Sequence, residues 1–277
     1  MRTLENCKIS TFILGIIMMV VLLCCSKPVQ AAQQPGESDY IYTIENGKAE
    51  ILLYKGSGGE VTIPGTLGGA PVIRIGDWAF NSWNKLSLTS ITIPQGVVSI
   101  GDSAFSGCSR LTSVSIPQGV TSIGNWAFNG CSKLTSINIP RGVTNIGKCT
   151  FRDCISLTDI NIPQGVTSID DLAFYDCQSL INITIPNSVT NIGNSAFSGC
   201  SRLIGINIPQ EVTTIGEYAF RNCNNLVSIR FNSAITKITG EVFPSIIKII
   251  GYAPSTAKDY AIEYRNIFEP IISQTGK

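Results

Sequence analysis

The stretch GNWAFNGCSKLTSINIPRGVTNIG, Gly124 to Gly147, closes on Ile146-Gly147, a copy of Ile123-Gly124 found 23 residues earlier. A fixed period of 20 to 50 residues is the signature of a solenoid or propeller, in which each unit buries its apolar face only against its neighbours. The period extends far in both directions. Phe105, Phe128, Phe151, Phe174, Phe197, Phe220 and Phe243 fall 23 apart, and Phe80 precedes Phe105 by 25, with two extra residues between Trp83 and Ile91.

Each column of the repeat has a physical reading. Leu111-Thr-Ser-Val114-Ser-Ile116 alternates apolar and polar residues towards its end, which predicts a short half-buried strand. Pro117, recurring as Pro94, Pro140, Pro163, Pro186 and Pro209, has no N–H for a ladder and stops every strand at one level. The following Pro117-Gln118-Gly119 suits a turn with proline second and glycine fourth. Ser188 and Glu211 replace the glycine elsewhere, so a type I turn without positive φ is expected. Asp102 to Cys108 then reads as one helical turn with Asp102 as N-cap. It is stopped at a column of Gly107, Gly130, Asp153, Asp176, Gly199 and Asn222, residues that tolerate the left-handed conformation.

Six cysteines, Cys108, Cys131, Cys154, Cys177, Cys200 and Cys223, lie three residues after successive phenylalanines, but Trp83 and Ile246 fill the same column in the flanking units. A position that accepts tryptophan and isoleucine selects bulk and apolarity. A disulfide framework or metal site would need thiol partners in specific geometry. Cys149 stands outside this ladder, in an outer column with Trp78, Ser103, Trp126, Leu172, Ser195 and Tyr218. It is either a partly covered thiol or, as the odd seventh cysteine of an exported chain, half of an intermolecular disulfide.

Residues 1–31 read as an export signal: Arg2 and Lys8, then a mostly apolar run to Cys25, then Val29-Gln30-Ala31 before a cut. Leu22-Leu23-Cys24-Cys25 resembles a bacterial lipobox with Cys24 in place of the small residue, so the exported chain is either free or lipid-anchored. No transmembrane anchor is expected after cleavage. Removing the segment takes three of 20 basic and one of 19 acidic residues, leaving a net charge of about −1 and no basic footprint for nucleic acid. Histidine is absent, which removes the commonest general base and metal ligand and any imidazole-based triad. The densest carboxylate group in the repeats is Asp170-Asp171 with Asp176, but two of the three fill the glycine and helix-stop columns. No enzymatic activity and no cofactor or metal are expected.

The ends suit a capped stack. Tyr42 to Ile51 forms two alternating segments around Asn46-Gly47, the strongest short hairpin signal. Ser255 is placed to cap a helix carrying Ala257, Tyr260, Ala261 and Tyr264 on one face. The organisation expected is a signal over 1–31, a linker over 32–40, a hairpin cap over 41–60, repeats over 61–243 and a C-terminal cap over 244–277.

The unit LTSVSIPQGVTSIGDSAFSGCSR resembles the BspA-like, or Treponema-type, leucine-rich repeat, with its L-x-x-I-x-I-P strand followed by V-x-x-I-G-x-x-A-F-x-x-C. Asp170 departs from the usual Gly and Thr150 from the usual Ala. The resemblance implies an α/β repeat solenoid: a curved stack with a short-stranded parallel sheet, an N-terminal β-hairpin cap and a C-terminal helical cap. It also implies a secreted or cell-surface binding protein, an adhesin toward an extracellular or cell-surface protein, with a glycan as the second choice of partner.

The open sheet face supplies the candidate binding residues. Alternation places Ser113, Ser136, Asp159 and Asn182 in one outward column and Ser115, Asn138, Asn161 and Thr184 in the next. This face is polar and nearly uncharged, without the aromatic and arginine anchors that dominate protein interfaces. The outer column with Trp78, Trp126, Leu172 and Tyr218 is the competing contact patch. A spacer without a specific ligand is the alternative function.

Overall fold

The computed structural model describes residues 35–81, 87–233, 236–244 and 247–271. The export signal, the Cys24-Cys25 pair, and Trp83 and Ile246 lie outside the described residues. The chain winds into a parallel-strand β-solenoid of about nine turns with one C-terminal helix.

One wall is the ladder expected from the alternating segments, with strands such as Ser113–Ser115, Ser136–Asn138 and Asp159–Asn161. Register is strict, with Ile137 beside Ile160 and Asn138 beside Asn161. The ladder is nevertheless broken into three-, two- and four-stranded pieces, with interruptions between Ser115 and Ser136 and over 181–186.

A second wall has no counterpart in the sequence reading. Pairs such as Ser99–Ile100 with Ser122–Ile123, and Asn145–Ile146 with Ser168–Ile169, form parallel ladders of their own, broken between Ile123 and Asn145, each isoleucine buried. The intervening turn also differs in frame. Val120 N–H donates to Pro117 C=O at 3.2 Å, so proline is first in the turn and Gly119 third. Gly119 has no positive φ, as a type I turn requires.

The third wall replaces the expected helical turn. The residues after the capping position, Trp78, Ser103, Trp126, Cys149, Leu172, Ser195 and Tyr218, have φ of 52–61°. A left-handed residue there breaks an α-helix at its start, at a cost of roughly 1–2 kcal/mol per residue. The N–H groups instead bond between coils. Those of the left-handed residues reach the next coil at 2.8–3.0 Å, and Phe105, Phe128, Phe151, Phe174 and Phe197 reach the next coil's Ala or Thr carbonyl at 2.7–2.9 Å. The Gly107 column is left-handed throughout, as read from its residue types.

Asp102 accordingly does not cap its own turn. Its carboxylate accepts the N–H of Asn125 in the next coil at 2.7 Å, as Asp77 does for Asp102, Asn125 for Lys148, Asp171 for Asn194 and Asn194 for Glu217. This bond explains the Ile-Gly pair, because a Cβ on Gly147 would lie 2.7 Å from the capping oxygen of Asn125. It also explains the exception. Lys148 stands at the capping position with a side chain that can only donate, and the following coil is the one in which Asp170 replaces glycine. The Thr150 substitution is satisfied differently, its buried hydroxyl donating to Gly147 C=O at 2.9 Å.

The eight phenylalanines form one stack, with neighbouring centroids 5.2–5.7 Å apart and planes within 26° from Phe80 to Phe243. Tyr54 of the hairpin closes the front, stacked at 5.0 Å on Phe80. Tyr260 of the helix Thr256–Glu263 closes the back, edge-on to Phe243 at 5.1 Å, its hydroxyl accepting from Val242 N–H. The hairpin turns on Asn46 and Gly47, both with positive φ, as its two-residue loop demands. Ser255 accepts from Lys258 N–H, and Ala257, Tyr260 and Ala261 are buried while Tyr264 remains half-exposed.

The cysteine ladder is buried and free of disulfides. Its thiols do more than fill space. Cys131, Cys154, Cys177, Cys200 and Cys223 each donate S–H to the carbonyl of the preceding coil's phenylalanine at 3.1–3.4 Å, and Cys108 does so to Phe80 at 3.0 Å. The carbonyls of Phe105, Phe128, Phe151, Phe174 and Phe197 also accept the N–H of the cysteine in their own coil, so both lone pairs are used.

Candidate functional site

The alternation that buries Ile137, Ile139, Ile160 and Ile162 turns Ser136, Asn138, Asp159 and Asn161 to solvent. Ser136 pairs with Asp159 and Asn138 with Asn161 across one strand pair. Ser113 and Ser115 are exposed on the neighbouring sheet piece. Asn182 and Thr184 are exposed too, but on the extended segment 181–186 that joins no ladder. The eight side chains therefore share a wall without sharing one continuous sheet.

Where this wall meets the proline turns, a cleft of about 760 Å³ opens, lined by Asn138, Asn161, Gln118, Arg141, Gln164 and the Ile162-Pro163 pair. The structure thus joins two expected site residues, Asn138 and Asn161, to three that were not among the expected site residues, Gln118, Arg141 and Gln164. The signal for them was the column after each proline, Gln95, Gln118, Arg141, Gln164, Asn187 and Gln210, in which Arg141 alone carries charge. No carboxylate lines the cleft, and Arg141 forms none of the four ion pairs found among the described residues.

The outer column has a different character. Trp78 and Tyr218 are 43% and 37% exposed, Trp126 and Leu172 are half-buried, and Ser103 and Cys149 are buried. The Arg152 guanidinium lies 5.8 Å from the Trp126 ring and 5.1 Å from Tyr175, and pairs with Asp153 at 3.3 Å. Cys149 sits within this group. Burial holds its thiol above the ordinary range, against the opposing charges of Arg152 and Lys148. A thiol so covered cannot reach a second molecule without local opening, which favours the covered thiol over the intermolecular disulfide.

The acidic trio does not converge on a reacting centre. Asp170 accepts from Ser168 and Asn145 at 3.0 and 2.9 Å, and Asp171 accepts the Asn194 N–H at 2.7 Å. Asp176 occupies a left-handed turn, where burial and then the Asp153 carboxylate push it above the usual carboxylate range. Among the described residues no cluster of three or more His, Cys, Asp or Glu is placed to hold a metal ion, and no helix is long and apolar enough to cross a membrane.

A stack of 23-residue coils with capped ends, one parallel wall open to solvent and a continuous apolar ladder inside defines a leucine-rich repeat solenoid. The model of the BspA type leucine rich repeat region matches residues 73–203 and 144–253, in six copies, and the chain belongs to that family. Leucine-rich repeat scaffolds of this kind are generally protein-binding and not enzymatic. Among solved structures, the leucine-rich repeat protein of T. pallidum is similar over 86% of this chain and 98% of its own, with 23% identity and a TM-score of 0.51, a likeness of fold alone. A leucine rich cell surface protein from Faecalibacterium prausnitzii A2-165 shares 27% identity over 76% of each chain, with a TM-score of 0.50. No curated protein matches the sequence.

Proposed function

We propose that the protein is a secreted or surface-displayed adhesin that binds an extracellular or cell-surface protein through the open wall formed by Ser113, Ser115, Ser136, Asn138, Asp159, Asn161, Asn182 and Thr184. The carrying observation is that all eight side chains are exposed on a wall whose backbone is fixed from behind by the buried isoleucines. A rigid array of small donors and acceptors binds with little loss of conformational freedom. The family's association with bacterial surface proteins, and the surface location in the name of the Faecalibacterium relative, support the same reading. Export rests on the residues 1–31 pattern, and lipid anchoring on the Leu22-Leu23-Cys24-Cys25 sequence.

The test is binding of the purified protein to a panel of purified extracellular-matrix proteins and to intact cells, before and after Asn138→Tyr with Asn161→Tyr. Strands accept tyrosine at exposed positions, so the double variant should stay folded while losing at least tenfold in affinity. The control pair is Trp126→Ser with Leu172→Ser, conservative here because Ser103 and Ser195 occupy that column naturally. Binding that survives the first pair and vanishes with the second moves the site to the outer column. No binding to any member of the panel would leave the spacer function as the better account.

A further inference from the structure

We propose that Arg141 sets the register of the bound partner by pairing with a carboxylate, so that the cleft selects an extended polypeptide segment carrying one acidic side chain. The proposal rests on the wall being the binding surface and names what that surface selects.

The argument begins from a mismatch of periods. Side chains on adjacent coils recur at the strand spacing of about 4.8 Å, whereas an extended peptide repeats its side chains on one face every two residues, about 6.6–6.8 Å. A peptide running along the stack falls out of step within two coils. The repeating serine, threonine and asparagine columns can therefore satisfy a peptide's polar groups but cannot say where along the wall it should stop. Only a group that occurs once can do that.

Asp159 and Arg141 are such groups, and of the two only Arg141 lines the cleft. The arginine interrupts a column that is otherwise amide, between Gln118 and Gln164, and it faces the cleft together with Asn138 and Asn161. Four neutral amides offer donors and acceptors that pair equally well with peptide N–H and C=O groups. The guanidinium adds donors only, in a planar fork that fits a carboxylate with two parallel hydrogen bonds. Nothing in the cleft competes for it, since no acidic residue lines the wall of the cleft. A carboxylate arriving there meets one unpaired cation flanked by groups of no charge.

The experiment is selection of 12-residue random peptides displayed on phage against three immobilised baits: the unaltered protein, Arg141→Gln, and Asn138→Tyr with Asn161→Tyr. Gln is the column's own residue, so Arg141→Gln should melt as the parent does. The expected result is a pool from the unaltered protein with Asp or Glu enriched at one position. Synthetic peptides from that pool should lose about tenfold or more in affinity for Arg141→Gln, and lose a similar factor when the acid is replaced by its amide. Their binding should also weaken as salt is raised. Pools without acidic enrichment, or unchanged in Arg141→Gln, overturn the anchor while leaving the wall as the binding surface. Peptides that bind all three baits equally overturn the wall itself. A parallel array of uronate-bearing glycans decides the ligand class: capture of those glycans through Arg141, with no peptide enriched over a bait-free support, overturns the polypeptide in favour of an acidic glycan.

Discussion

Truncating Phe151 to alanine tests whether the aromatic stack carries the core. The ring is fully buried and lies 5.7 Å from Phe128 and 5.5 Å from Phe174, with planes 3° and 12° apart. Returning such a ring to water forfeits about 2–3 kcal/mol of transfer free energy, and the unfilled cavity raises the cost to about 3–5 kcal/mol. Two ring contacts are broken at once, each worth about 0.5–1.5 kcal/mol beyond area, which places this site at the upper end of that range. A loss of about 4–5 kcal/mol is large against a typical domain stability of about 5–15 kcal/mol. Because each coil is supported only by its neighbours, the damage should spread to the coils on either side. Urea denaturation followed by both far-ultraviolet circular dichroism and tyrosine fluorescence measures it. The midpoint should fall by that amount divided by the urea slope m, and a split into two transitions would show that the front and back halves had lost their coupling. Asn161→Ala, on the exposed wall, should change stability by less than about 0.5 kcal/mol. A loss below about 1 kcal/mol in Phe151→Ala, from protein that is otherwise folded, would refute the core assignment.

Thiol titration should find no reactive cysteine among residues 108–223 in the native protein and all seven in the denatured, non-reduced protein, because burial pushes the ladder thiols far from the thiolate form. Fewer free thiols after denaturation would mean that disulfides exist in the ladder or at Cys149. Alkaline pH should destabilise the fold. Cys108, Cys154 and Cys223 are raised to about 12 by burial, so the folded chain holds protons that the unfolded chain releases. Stability is full below the ordinary thiol range near 9 and is lost as pH climbs towards 12, at about 1.4 kcal/mol per thiol per pH unit. A urea midpoint that stays flat from about pH 8 to about pH 10 would count against this.

Much of the fold was legible because its signals are local and repeated. The alternation around Ile137 and Ile139, the proline stop, the left-handed Gly107 column, the Asn46-Gly47 hairpin and the Ser255 cap are each set by residues within a few positions of one another. The second wall was not legible, because two residues such as Ser122-Ile123 are too few to carry a period of two. The third wall misled for a different reason. Asp102 to Cys108 has the composition of a capped helical turn, and only bonds to the neighbouring coil show that Asp102 serves Asn125 and that Ser103 is left-handed. Exposure of the eight wall residues followed from alternation alone. The cleft did not, since it is built from a strand column and a turn column that meet only when the coil closes.

Several departures from the repeat fall together. Arg141, Lys148, Thr150, Asp159 and Asp170 lie within two consecutive coils in the middle of the stack, while Ser188, Glu211 and Arg230 depart further on. Those that point inward are compensated. The Asp170 change follows a coil without a capping oxygen, and the Thr150 hydroxyl finds a carbonyl. Compensation is obligatory there, because an inward residue touches the coils before and after it and cannot change alone. Outward residues carry no such constraint, so Arg141 and Asp159 stand without a matching change in the coil beside them. A solenoid can therefore acquire a distinctive surface in one or two coils while every other coil keeps the stack rigid. The proposed anchor at Arg141 lies at one edge of that stretch, on the wall opposite in character to the Trp126–Arg152–Tyr175 group. If both were binding surfaces the central coils would hold two sites with different chemistry, and the two double variants separate them.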